Sequence, residues 1–185
     1  MVELLLGIAL LLAGAGLFSF WRARRQIARL QAQLQAAWQE VEQGFALRLQ
    51  ALEELAEALR AAGYAPEGQE RLRKALAELR AAQGGDPEKI AEADERVEAA
   101  LRGIYRALPR EREARVRQAQ NLLAQADEEL DIRKSRYNEL VLSWHELMRR
   151  FPYGLLARKF PKPTLLAAPG EEAELLRRIA SFGKP

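Results

Sequence analysis

The chain of 185 residues contains no cysteine and a single histidine, His145. Without cysteine it cannot form a disulfide framework, a thiolate metal site, a cysteine nucleophile or a lipid attachment through a thiol. In the segment His145-Glu146-Leu147-Met148-Arg149, an arginine stands where the helical zinc-protease motif needs a second histidine. We therefore expect an ordinary surface histidine at position 145, and no metal or other cofactor.

Motifs of catalysis are also lacking. The sequence has neither a glycine-rich phosphate loop nor a G-x-S-x-G elbow. Carboxylate pairs at helical spacing are present, such as Glu53 with Glu57 and Asp127 with Asp131, and such a pair is able to do acid–base chemistry. Because 30% of the residues are charged, these pairs are better explained as solvated helix faces. The sequence predicts a protein that is not an enzyme, and an unrecognised carboxylate site is the less favoured alternative.

The positive charge is concentrated in one place. The chain has 29 Lys and Arg against 26 Asp and Glu, and removing Arg22, Arg24, Arg25 and Glu3 leaves 29 − 3 = 26 against 26 − 1 = 25. The remainder is nearly neutral, with charges of both signs interleaved along helical faces. This pattern is typical of solvated helices rather than of a surface that follows phosphates, so we expect no nucleic-acid partner.

Residues 1–21 form the longest apolar run, and Glu3 is its only charged residue. A helix of this length spans roughly 30 Å, the thickness of the hydrocarbon core of a bilayer. A cleaved signal peptide is the competing interpretation, because Ala13-Gly14-Ala15 has the form of a cleavage site, but the basic segment that such peptides begin with is missing. The run predicts a transmembrane anchor.

A short basic juxtamembrane segment, residues 22–26, follows the anchor and contains Arg22, Arg24 and Arg25. Arginine next to a membrane end is retained in the cytoplasm, so the sequence predicts a single-pass protein of the cell membrane with a short N-terminus outside and the rest in the cytoplasm. Amphipathic aromatic side chains favour the interface. Trp21 and these three arginines are therefore the predicted membrane-interface residues.

The rest of the chain predicts an all-α fold, since Ala, Leu, Glu, Arg and Gln dominate and no extended alternating pattern occurs. Apolar residues recur in steps of three and four, and glycine and proline interrupt them. We expect helices at 27–62, 67–83, 87–107 and 109–151, arranged as an antiparallel up-and-down bundle in a domain of residues 27–160. The two middle helices are half as long as the others, so three rods, one of them broken, is an alternative.

The fourth predicted helix carries a heptad seam. Its a positions hold Val116, Leu123, Leu130, Tyr137, Trp144 and Phe151, and its d positions include Ala119, Ala126, Leu140 and Leu147. One d position holds Arg133 instead. Arg133 either extends to the rim of the bundle with its stem over apolar surface, or forms a buried ion pair with Glu40, Glu42 or Glu53; we favour the rim.

Residues 161–185 form a proline-containing linker and a short amphipathic helix near the C-terminus. The apolar face of that helix is a candidate surface for a protein partner. An equally good interpretation is that the face caps the bundle of its own chain. The residues of this face are Leu175, Leu176, Ile179 and Phe182.

The order of these parts resembles the LemA family of bacterial membrane-anchored proteins over nearly the whole chain. The most specific match lies in residues 131–152, where this family tends to have a Tyr-Asn pair, an apolar residue and a closing Phe-Pro. The matching residues here are Arg136-Tyr137-Asn138, Val141 and Phe151-Pro152, followed by Leu156-Ala157 and Phe160. A second, looser match is Ala36-Ala37-Trp38 followed by Arg48.

The chain is a divergent match, because Leu52-Glu53-Glu54 replaces an Ile-Pro-Asn segment that the family often has, and the segment after Phe160 differs as well. The resemblance implies a helical bundle on a membrane anchor, without an established enzymatic activity and with a link to envelope stress or membrane-protein quality control. We therefore predict a non-enzymatic, membrane-anchored scaffold that binds protein partners. A membrane-tethered relay rod is the alternative, and self-association into a homo-oligomer stays open.

Overall fold

A computed structural model describes residues 2–85, 87–156 and 160–166, without the side chains of residues 2–6, 8, 9, 12 and 87. It consists of helices joined by short turns, and the described part contains no strand. The helices are α1 (Val2–Ala61), α2 (Pro66–Ala82), α3 (Pro87–Ala107), α4 (Ala114–Met148) and the single turn α5 (Tyr153–Leu156). The prediction of an all-α helical bundle is confirmed.

Helix α1 is continuous for 60 residues, a length of about 90 Å at 1.5 Å per residue. Every residue from 13 to 22 is exposed, and the first buried side chains are those of Ala23 and Ile27. The helix ends at a glycine as predicted, because Gly63 adopts a φ of 69°, which side chains disfavour. Among the side chains of α1 that the structure describes, burial therefore begins at Ala23.

No helix is both long and apolar enough to cross a membrane within the part of the chain that the structure describes. The predicted anchor, residues 1–21, lies partly outside it: Met1 and the side chains of residues 2–6, 8, 9 and 12 are not described.

Adjacent helices run antiparallel. Arg136 of α4 lies 3.2 Å from Glu40 of α1, whereas Arg115, near the start of α4, lies 3.9 Å from Glu57. On the other side, α2 packs against both α1 and α3. The ion pair of Arg96 with Glu78, at 2.8 Å, joins the end of α2 to the first half of α3. These two helices form a hairpin, so the alternative of one broken rod is wrong.

The predicted core faces agree with the structure over most of their length. The buried apolar residues of α1 include Ile27, Leu34, Val41, Phe45, Leu49, Leu52 and Leu59, those of α2 are Leu72, Ala75, Leu76 and Leu79, and those of α3 include Ile90, Val97, Leu101 and Ile104. Leu55 was not predicted in the core and is fully buried. Because Ala51, Leu52, Ala58 and Leu59 are buried as well, the second half of α1 is buried on a wider arc than one helical stripe.

The a positions of the α4 seam are buried as predicted through Trp144, whereas of the apolar d positions only Ala119 is fully buried. Val141 is fully buried, whereas the predicted Leu140 and Leu147 are partly exposed. A straight helix drifts away from a seven-residue repeat, which moves the buried stripe by one position here. Phe151 was predicted in the core, and this is wrong: its side chain is 79% exposed, because α4 ends at Met148 and the chain turns away.

Arg133 lies at the rim, as favoured, with 21% of its side chain exposed. It pairs with Glu129 of its own helix and donates a hydrogen bond of 3.1 Å to the backbone carbonyl oxygen of Glu40. Its stem runs past Gly44, where an added Cβ would lie 3.2 Å from the Arg133 Cδ and 2.9 Å from Leu130 Cδ1. The glycine on α1 thus lets the two long helices approach closely at this level.

The chain beyond α5 folds back on the bundle. Leu166 is buried, and Phe160 and Leu165 pack against the core. We call residues 160–166 the strap. The predicted terminal helix and its candidate partner surface, Leu175, Leu176, Ile179 and Phe182, lie outside the described residues.

Candidate functional site

The most unusual site in the structure is a charge cluster inside the bundle. Its centre is Arg48 of α1, whose side chain is 3% exposed and occupies a position on the core face between Phe45 and Leu52. Charged residues are almost never this buried unless they are paired. The helical pattern of α1 therefore brings a cation into the core, where the other helices must supply its partners.

Three carboxylates meet the Arg48 guanidinium. Its Nη1 bonds to Asp94 and its Nη2 to Glu98, both on α3, while its Nε bonds to Asp127 on α4. Burial on its own would lower the pKa of Arg48, but the charges of the three carboxylates and the hydrogen bond to Asp127 outweigh it and raise that pKa above its ordinary value. The arginine stays charged, and one side chain ties α1 to two other helices.

Lys134 of α4 completes the cluster. Its ammonium nitrogen lies 3.2 Å from Asp94 Oδ2 and 4.9 Å from the centre of the Phe45 ring, a cation–π distance. We call Arg48, Lys134, Asp94, Glu98 and Asp127 the ion cluster. Two cations and three carboxylates leave it with one formal negative charge. A network of this kind fixes which helix faces meet more than it adds net stability.

Two further contacts join distant parts of the chain beside the ion cluster. The rings of Trp38 on α1 and Tyr137 on α4 lie 5.6 Å apart. Asn138 holds the strap with two hydrogen bonds: its Nδ2 donates to the Leu166 carbonyl oxygen at 3.1 Å, and its Oδ1 accepts from the Leu166 amide at 2.9 Å. The Tyr137-Asn138 pair therefore faces two ways, into the bundle and onto the strap.

We expect Asn138→Ala to release the strap. The change leaves a buried amide and carbonyl of Leu166 without their side-chain partner, which costs about 1–3 kcal/mol when water does not replace it. Hydrogen exchange at the Leu166 amide should become faster, and the strap should be cleaved sooner by a protease. Ser143→Ala is the matched control, because the Ser143 hydroxyl is exposed and bonds only within α4. Unchanged exchange at Leu166 in Asn138→Ala would contradict this role.

The strap also changes the environment of His145. The His145 ring is partly buried, donates a hydrogen bond to the Pro163 carbonyl and lies near Lys162. The prediction that His145 is an ordinary surface residue is therefore wrong. Burial, assisted by the Lys162 charge, lowers the pKa of His145 below its ordinary value of 6.5, although the bond to Pro163 opposes the shift. The structure thus favours the neutral imidazole.

This shift predicts a dependence of stability on pH. Because the pKa of His145 is lower in the folded chain, the unfolded chain binds its proton first as the pH falls. The contribution of neutral His145 to the stability of the fold is complete above 6.5, the ordinary pKa of histidine, and is lost as the pH drops below that value. Urea unfolding at about pH 7.5 and about pH 5.5 should show a smaller free energy at the lower pH. In His145→Gln, the free energy of unfolding should differ less between the two pH values. If the difference is the same in the variant and in the unchanged chain, other titratable groups cause it.

Three of the four carboxylates considered for catalysis are engaged in ion pairs, and Asp131 lines an open groove around Ile132. Glu53 binds Arg80, Glu57 lies 3.9 Å from Arg115, and Asp127 belongs to the ion cluster. Among the described residues, no group of three or more His, Cys, Asp or Glu side chains could hold a metal ion. The geometry gives the three paired carboxylates a role in joining helices.

The predicted membrane-interface residues lie on the exposed part of α1. Trp21, Arg22, Arg24 and Arg25 all face solvent, and the Arg25 guanidinium lies 5.0 Å above the Trp21 ring. Phe18 packs beside the same ring at 6.3 Å. These residues lie together at the point where α1 leaves the bundle.

No protein-family model matches this chain, and no curated protein matches it at a significant level.

Proposed function

We propose that the chain is a non-enzymatic scaffold of LemA type that residues 1–21 anchor in the cell membrane, with its helical bundle in the cytoplasm. The observation that carries this proposal is that α1 has an exposed apolar part followed by a part that packs in the bundle. Among the described side chains of α1, burial begins at Ala23, and the described large apolar side chains before it, including Leu17, Phe18 and Trp21, are exposed. Apolar surface of this size needs a cover, and a bilayer followed by arginines on its cytoplasmic side fits the sequence.

The resemblance to LemA proteins is supported by where its residues lie. Trp38 and Tyr137 form a ring contact across α1 and α4, Arg48 centres the ion cluster, and Asn138 binds the strap. Each of these residues joins segments that are far apart in sequence. The resemblance alone implies the link to envelope stress or membrane-protein quality control, which we include in the proposal.

A scaffold needs surface that its own fold leaves open. The outer side of α4 offers Ile132, whose side chain is exposed in a shallow groove with Glu128, Asp131 and Arg136. Leu122, also on α4, and Leu47 on α1 are partly exposed as well. These side chains are the described positions at which we expect protein partners or a second copy of the chain to bind.

The absence of cysteine makes the topology easy to test in the full chain. Single cysteines at Arg60 and Gln118, both exposed, should resist a membrane-impermeant thiol reagent in intact cells and react after lysis. A cysteine at Val2 is the control for the opposite side and should react in intact cells. The chain should also stay in the membrane pellet at alkaline pH. Labelling of the bundle in intact cells, or release at alkaline pH, would overturn the proposal.

Partner binding is tested separately, with a photo-crosslinking amino acid in place of Ile132 in intact membranes. We expect a defined set of crosslinked products, each identified by mass spectrometry. The control carries the same group at Arg73, an exposed residue that pairs with Glu70 of its own helix. If both positions give the same products, the groove around Ile132 is not a binding surface and the scaffold proposal loses its site.

A further inference from the structure

The turn after α4 lies at the level where α1 leaves the bundle. The ring of Phe151 meets the ring of Phe20 edge to face, with the ring centres 6.5 Å apart. Beside it, the Tyr153 hydroxyl donates a hydrogen bond of 2.7 Å to Gln26 Oε1, and α5 contacts both long helices. Residues 149–156, which we call the basal turn, are thus held against residues 20–26 of α1.

The basal turn has one side on the bundle and one side uncovered. Tyr153 and Leu156 pack against the core, whereas Phe151 is 79% exposed and Leu155 is 56% exposed. Both uncovered side chains lie at the same end of the molecule as the exposed Phe20 and Trp21. The result is an apolar rim made by two separate segments of the chain that meet at Phe20 and Phe151, where a solvated turn would carry polar residues.

Five arginines lie in or next to the two segments that form this rim. Arg22, Arg24 and Arg25 are exposed on α1, and Arg149 and Arg150 are exposed at the start of the basal turn, where Arg150 pairs with Glu146 at 2.7 Å. Large apolar side chains with arginines around them are the composition of segments that lie in the interface of an anionic membrane. A protein groove would need no such excess of one charge, so the rim favours a lipid surface as its occupant.

We propose that the basal turn is a second membrane contact, which inserts Phe151 and Leu155 into the headgroup boundary of the leaflet from which α1 emerges. The inference rests on the proposed anchor, because Phe20 and Trp21 set the depth at which Phe151 lies. It goes beyond that anchor, since α1 alone would leave the bundle free to tilt. The contact through the basal turn, beside that of α1, would limit this tilt.

The test uses the full chain in vesicles, with an environment-sensitive fluorophore on single cysteines at Phe151, Leu155, Ile132 or Leu11. The vesicles contain phosphatidylcholine with or without phosphatidylglycerol, and brominated acyl chains serve as the quencher. We expect blue-shifted emission, most of it lost to the quencher, at 151 and 155 in the anionic vesicles. The label at 132, an equally exposed apolar position on α4, should keep its emission.

The label at Leu11 separates the two proposals. Quenching at 11 without quenching at 151 and 155 overturns the basal contact and leaves the anchor intact, whereas no quenching at 11 overturns the anchor. A blue shift at 151 that brominated lipid does not quench would mean that protein, for instance a second copy of the chain, covers the rim, which also overturns the proposal.

A second variant tests the role of Leu155 under conditions in which the bundle stays folded. Leu155→Glu in the chain labelled at 151 should reduce quenching at 151 while the thermal unfolding of the bundle is unchanged, because Leu155 is largely outside the core. Ile132→Glu is the matched control and should change neither measurement. Unaltered quenching at 151 in Leu155→Glu would overturn the role given to Leu155.

Discussion

Arg48→Met is expected to lower the free energy of unfolding by about 3–5 kcal/mol, the cost of removing one partner from a buried ion network. Methionine keeps most of the volume of the arginine side chain but leaves Asp94, Glu98 and Asp127 close together without their shared cation. Asp94 suffers most, because only 13% of its side chain reaches solvent. Urea unfolding followed by circular dichroism gives the value.

Two control variants show whether the loss in Arg48→Met depends on the buried position of the arginine and on its geometry. Arg73→Met removes an arginine of which 74% of the side chain is exposed, and we expect no measurable change in the free energy of unfolding. Arg48→Lys should also destabilise, because an ammonium cannot reproduce three bonds from three nitrogens of one plane. If Arg48→Met is as stable as Arg73→Met, the ion cluster does not hold the helices together.

Removing Arg48 together with Asp94 and Asp127, while Glu98 and Lys134 keep their charges, tests whether unpaired carboxylates cause the loss of stability. Replacing Asp94 and Asp127 with leucine in the Arg48→Met chain should recover much of the lost stability, since an apolar core of similar volume avoids the desolvation of charges. The recovered chain need not keep its helix register, because the cluster selects which faces meet. No recovery would mean that the loss came from packing of the arginine stem.

Trp144→Ala is expected to cost about 3–5 kcal/mol, the range for deleting a buried aromatic side chain. Trp144 is 2% exposed and meets Phe160 of the strap edge to face, with ring centres 6.4 Å apart. The cavity would lie between the bundle and the strap, so the strap should loosen as well. Thermal or urea unfolding measures the loss, and hydrogen exchange at the Leu166 amide reports on the strap.

Ile132→Ala is the matched control for this change. It shortens an apolar side chain of the same helix, but one that is 64% exposed, so the expected effect is within about 0.5 kcal/mol. Equal destabilisation by the two substitutions would mean that Trp144 is not part of the core and that the buried face of α4 is assigned wrongly.

Some of the structure follows from local pattern. The helices of the described bundle and the breaks at Gly63 and near Pro109 are readable because a helix repeats every 3.6 residues and glycine and proline end it. The core residues of α2 and most of those of α1 follow from the same repeat. The apolar run before Ala23 could also be recognised from the sequence, because no other stretch of the chain has so many apolar residues with so little charge.

The ion cluster required the tertiary structure. Arg48 is separated by 46 and 79 residues from Asp94 and Asp127, and sequence spacing carries no information on such pairs. A partial signal existed: Arg48 falls on the apolar face between Phe45 and Leu52, where a cation needs a partner. The pattern could have indicated a buried charge, but not which of many carboxylates receives it.

By itself, the sequence determined the helical class of this protein, its helix breaks, most of its core faces and the apolar run before the arginines, because each of these depends on neighbours within a few turns. Only the tertiary structure decided that Phe151 leaves the core, that Val141 replaces Leu140 in it, and that Asn138 binds the strap. These outcomes depend on where α4 ends and on how the following chain folds back over it. Such contacts arise between segments that meet only after the helices have packed.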